Sequence, residues 1–66
     1  MPIYRLYCLD ASRHMVLADW LEADTVEQAI VQARAASRGA SKCEIWANDQ
    51  MVAKLANGRL QRILQD

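Results

Sequence analysis

His14 is the single histidine in 66 residues, and histidine is the first residue to consider for acid–base chemistry near neutral pH. A general base needs a positioned partner and a nucleophile within reach, and no serine or cysteine stands in a nucleophile motif. His14 therefore reads as a solvated loop residue. Asp19, Glu22, Asp24 and Glu27 bring together enough carboxylates for a divalent ion but lack the spacing and the glycine of a calcium loop. Helix capping and strand surface account for them, so no metal is expected. Cys8 and Cys43 have no CxxC partner and no histidine nearby in sequence, which argues against a zinc site or a dithiol redox motif. The favoured reading is two small buried thiols in a reducing cytoplasm, with a disulfide between them left open. With two glycines in the whole chain, no phosphate-cradling loop is available. No catalytic residue and no cofactor is assigned, and the chain is not read as an enzyme.

The aromatic residues carry more information, and the elements that place them follow from pattern. Ile3–Leu9 alternates Tyr4, Leu6 and Cys8 against Arg5 and Tyr7 and reads as a first strand, with the former set facing inward. Met15–Ala23 reads as its antiparallel partner with Leu17 and Leu21 inside. Asp24-Thr25-Val26-Glu27 is a capping-box signature with Asp24 as the cap, opening a helix over Thr25–Ser37. Val26, Ala29, Ile30, Ala33 and Ser37 form its inner stripe, small enough to let the helix lie close on a sheet. Lys42–Ala47 and Met51–Ala56 read as a second hairpin. A three-residue loop keeps its odd positions on one face and sets Ile45 opposite Ala53, Glu44 opposite Lys54 and Trp46 opposite Val52.

The expected fold is α+β, with order ββαββ: a four-stranded, mainly antiparallel sheet with one helix packed on one face. Residues 1–58 make the domain, and 59–66 are a tail in which Leu60, Ile63 and Leu64 have helical spacing suited to a short helix. One helix covers one face of such a sheet. The other face then carries Tyr7, Trp20 and Trp46 with Val52 beside them, unless the tail folds back over it through Leu60 and Ile63. Exposed apolar patches of this kind mark interaction surfaces, and Trp, Tyr and Arg dominate binding energies.

A domain of this length buries only about 60% of the surface its unfolded chain exposes, so it needs a staple or a partner. Self-association of the outer face into a homodimer, or an unknown protein partner, would supply it. Eight basic residues balance eight acidic ones, but unevenly. Through Glu27 there are two basic residues against five acidic, and beyond it six against three, so the halves carry −3 and +3. Such a dipolar chain favours self-association or a charged partner over tight nucleic-acid binding, which usually shows a dense basic stripe. Weak single-stranded nucleic-acid binding by aromatics interleaved with Arg5, Lys54, Arg59 and Arg62 is the alternative. No apolar run of about 18 residues is present, so no membrane span is expected and the location is read as cytoplasmic.

The strings Tyr4-Arg5-Leu6-Tyr7-Cys8-Leu9-Asp10, Asp24 to Arg34, Glu44-Ile45-Trp46 and Val52-Ala53-Lys54-Leu55 together resemble a group of short, mostly uncharacterised bacterial proteins. Members open on a Tyr-Arg-Leu-Tyr-Phe-Leu-Asp type strand, continue into a capped Ala-rich helix, and end on Glu-Leu-Trp and Val-Ala-Arg-Leu strands. The resemblance spans residues 3–55, with Cys8 at the usual Phe position, and implies a shared fold without a function. A fainter likeness, to small sheet-and-helix antitoxins, rests on the Asp-Thr-x-Glu-x-Ala start of the helix and suggests a regulatory role.

Overall fold

Capping decides where the helix begins. Thr25 has extended backbone (φ −136°, ψ 161°), and its hydroxyl oxygen accepts the Gln28 N–H at 3.1 Å. The Gln28 side chain reaches back to accept the Asp24 N–H at 2.9 Å. The capping device is thus Thr25 with Gln28, one residue later than the expected Asp24 with Glu27. Both pairs fit the same spacing rule, and a hydroxyl with a neutral amide satisfies the free N–H groups while Glu27 remains in the first turn for the helix dipole. Replacing Thr25 by Ala should cost about 1 kcal/mol in urea unfolding, and an unchanged midpoint would show the cap to be idle.

In the computed structural model, which describes residues 3–37 and 39–63 and only the backbone of Arg62 and Ile63, the elements are β1 (Ile3–Leu9), β2 (Met15–Glu22), α1 (Val26–Ala36), β3 (Lys42–Ala47), β4 (Gln50–Ala56) and β5 (Arg59–Ile63). The sheet is antiparallel throughout, in the order β2-β1-β3-β4-β5.

Five strands replace the expected four, and residues 59–63 are strand rather than the start of a helix. The cause is Asn57-Gly58, both with positive φ (54° and 79°), which places Ala56 opposite Arg59 across a two-residue loop. That is the tight turn whose twist matches a hairpin, and asparagine followed by glycine is its strongest short-range signal. Residues 59–63 therefore extend the sheet edge instead of folding over the outer face. Leu64 lies outside the described residues.

Each hairpin also contains one irregularity. Cys8 faces Leu17 but Leu9 faces Met15, Ile45 faces Ala53 but Trp46 faces Met51, and Lys54 faces Arg62 but Leu55 faces Leu60. Val16, Val52 and Gln61 are the extra residues, each a bulge that adds local twist. The β3–β4 loop is consequently the two-residue turn Asn48-Asp49, with Asn48 at φ 57°, and Trp46 meets Met51 instead of Val52. Ile45 opposite Ala53 and Glu44 opposite Lys54 are as expected, because the bulge restores the parity that the short loop would have broken.

Tyr4, Leu6 and Cys8 from β1, Leu21 from β2, Cys43 and Ile45 from β3, and Ala53 and Leu55 from β4 pack beneath Ala29, Ile30 and Ala33 of α1. Cys8 and Cys43 face one another across β1 and β3, with Cα atoms 4.1 Å apart, and are joined as a disulfide. This overturns the reading as separate thiols. Two cysteines on alternate, inward positions of neighbouring strands meet only if the strands are neighbours in the right register, and strand order was not legible beforehand. No helix of the described residues is long and apolar enough to cross a membrane.

Candidate functional site

The face opposite the helix is built by register. Arg5 at the centre of β1 has Trp20 of β2 as its partner on one side and Trp46 of β3 on the other. One row across three strands is therefore Trp, Arg, Trp, with the backbones of the two tryptophans two strand spacings, about 9–10 Å, apart. The Arg5 guanidinium carbon sits 5.6 Å from the centroid of the Trp20 ring, within cation–π range. Arg5 also donates from Nη2 to the Asn48 carbonyl oxygen at 3.3 Å and from Nη1 to the Tyr7 hydroxyl oxygen at 3.4 Å. These contacts hold a charged side chain flat along the sheet. Trp20 remains 66% exposed, while Tyr7 and Trp46 are half-buried.

The next row runs Ala18, Tyr7, Glu44, Lys54, with Arg62 as the backbone partner of Lys54. Glu44 accepts the Trp46 indole N–H at 3.2 Å, which fixes the ring. The following row contains Leu9, Lys42, Ala56 and Arg59. A depression of about 270 Å³ opens between Arg5, Tyr7, Trp46, Asn48 and Asp49. Further along, Lys42 and Glu44 lead into a cleft of about 540 Å³ that Arg13 also lines. Arg13 is held there by the β1–β2 loop: Asp10 accepts the Ser12 and His14 N–H groups at 2.8 and 2.9 Å, and Arg13 takes a left-handed conformation (φ 67°).

The sheet thus sorts charges that the composition hides. On the outer rows stand Arg5, Lys42, Lys54 and Arg59 against Glu22 and Glu44, while Asp24 and Glu27 sit at the start of α1, on the other side of the sheet. A chain with zero formal charge presents one aromatic face with a basic excess.

Of the residues singled out in the sequence, Tyr7, Trp20 and Trp46 come together on this face. Val52 does not join them cleanly: as the bulged residue it is half-buried and packs against the core. Leu60 is 39% exposed and pairs with Leu55, and Ile63 pairs with Ala53, so their register positions belong to the helix side. Arg5, Lys54 and Arg59, named with the aromatics in the alternative reading, take outer register positions, and Lys42 joins them as the member that the sequence did not single out. Its signal was the alternation of β3, which becomes usable only when strand order is known.

Among the described residues, no group of three or more His, Cys, Asp or Glu side chains could hold a metal ion. His14 Nδ1 lies 3.9 Å from the Asp10 carboxylate on an exposed loop. Comparison with protein-family models, with curated proteins and with solved structures found no match in any of the three.

Proposed function

We propose that this chain is a non-catalytic binding module whose working surface is the uncovered sheet face and whose partner is an anionic macromolecule. The observation that carries the reading is the Trp20–Arg5–Trp46 row, flanked by Lys42, Lys54 and Arg59. An indole left largely in water next to an ordered guanidinium contributes little to the core. It is suited to contact with something outside the chain.

A second copy is the less favoured occupant. The case for a dimer rested on a small core in need of a staple, and the Cys8–Cys43 disulfide is such a staple. A basic face also repels its own copy. In a cytoplasmic setting, the location read from the sequence, burial of both sulfurs would shield the bond from the thiol pool.

Heparin-agarose chromatography tests the reading. At about 50 mM salt the protein should be retained and should elute as salt displaces it. A Lys54→Glu, Arg59→Glu variant should flow through. Arg34→Glu, on the helix side, should behave like the parent. Flow-through of the parent, or equal loss in the Arg34→Glu control, would overturn the assignment.

A further inference from the structure

Resting on that reading, we infer that the anionic partner is single-stranded nucleic acid, taken by stacking of bases on the Trp20 and Trp46 rings while the cations follow the phosphates. A polyanion without flat groups needs only charge, and charge alone does not explain this face. Its two tryptophans lie in one row with an arginine between them, and each indole makes one defined contact. Trp20 stacks against Arg5 and stays 66% exposed, and the half-buried Trp46 donates its N–H to Glu44.

Stacking platforms on open sheets with cations along the strand path are how sequence-tolerant single-strand binding is built. The cations are placed for this. Lys54 and Arg59 lie on the β4 and β5 side of the aromatics, and Lys42 leads from the row towards Arg13 in the cleft at the sheet end. A duplex hides its base faces in its own stack, so a flat platform reaches only its backbone. The depression beside Tyr7 and Trp46, about 270 Å³, is below the usual size of a drug-like site and suits one ring system.

Three carboxylates, Glu22, Glu44 and Asp49 at the rim of the depression, stand against Arg5, Lys42, Lys54 and Arg59 and leave the face a basic excess of one. Glu44 is engaged by the Trp46 indole and faces Lys54, and Glu22 lies at the outer edge opposite Ile3.

The test uses the full chain with a fluorescein-labelled oligothymidylate of about 12 nucleotides, a duplex of the same length, and heparin. Anisotropy at about 50 mM salt should give a Kd of about 10–100 µM for the single strand, weaker binding to the duplex, and quenching of tryptophan emission by the single strand only. Trp20→Ala, at a site too exposed to disturb folding, should weaken single-strand binding about tenfold and affect heparin retention far less. Trp46→Ala should do the same once circular dichroism shows that it folds. Arg59→Ala should weaken all three ligands alike and flatten the salt dependence by about one ion.

Equal affinity for single strand and duplex, with no effect of Trp20→Ala, would overturn the stacking inference while leaving the polyanion surface in place. Failure to bind either oligonucleotide or heparin would remove both. A concentration-dependent dimer in sedimentation velocity that Trp46→Glu abolishes would assign the face to a second copy and likewise overturn the inference.

Discussion

Joint replacement of Cys8 and Cys43 by Ala should lower stability by about 3–4 kcal/mol, the chain-entropy value for a loop closed across a separation of 35 residues. A domain of 66 residues has about 3–10 kcal/mol in total, so the loss removes at least about a third of the stability. The bond joins β1 to β3, the one strand pairing in the sheet that no tight turn enforces. Without it, the unfolded chain regains the freedom of everything between the two cysteines. The check is urea unfolding followed by circular dichroism, with and without a phosphine reductant. At a urea slope of about 1 kcal/mol per molar, the midpoint should fall by about 3 M on reduction. Reduction keeps both sulfurs in the core, so this comparison separates the cross-link from the small voids left by alanine. Cys8 and Cys43 are 0% and 3% exposed, so the native protein should be reduced slowly, at a rate that denaturant accelerates. Identical midpoints with and without reductant would show that the bond does not hold the fold.

Truncation of Ile45 to Ala is expected to cost 2–5 kcal/mol, or about that much again. Ile45 is fully buried on the middle strand, between Leu6 of β1 and Ala53 of β4. In the same core the helix contributes Ile30 between Ala29 and Ala33, and the two alanines have no side-chain length with which to fill a void. The cavity therefore stays open and carries its full cost. Glu44 and Trp46 are the next residues on either side, so loosening β3 disturbs the outer row as well. Loss of near-ultraviolet dichroism from Trp46 should accompany the loss of stability. A midpoint shift worth under about 1 kcal/mol would mean that the site collapses around the smaller side chain.

The parts of the fold that were legible in the sequence are those set by local interactions. β1, β3 and the helix stripe followed from alternation and helical spacing, since burial on one face imposes period two or a period near 3.6 over neighbouring residues. Leu17 and Leu21 point inward for the same reason. The fifth strand was legible in principle. Asn57-Gly58 followed by Arg59 to Ile63 is a hairpin signal, but Leu60, Ile63 and Leu64 have helical spacing, and a bulge at Gln61 shifts the strand alternation enough to imitate it. The same effect moved Val52 out of the outer face. A bulge is one extra residue whose cost depends on the twist of the whole sheet, and pattern reading assumes that none occurs.

The binding face depended on contacts between distant parts of the chain. By itself the sequence determined an inward and an outward side for β1 and β3, a capped helix that can lie close on a sheet, and two cysteines on inward positions. It also determined that the acids and bases are unevenly divided along the chain, since composition and alternation need no knowledge of what lies opposite. Only the tertiary structure decided that β1 lies between β2 and β3. That order makes Arg5 the neighbour of both tryptophans, brings Cys8 against Cys43, and gathers Lys42, Lys54 and Arg59 on one surface. The pairing of β1 with β3 joins segments more than 30 residues apart, and its free energy comes from burying one shared core under the helix. No short window of residues contains that quantity.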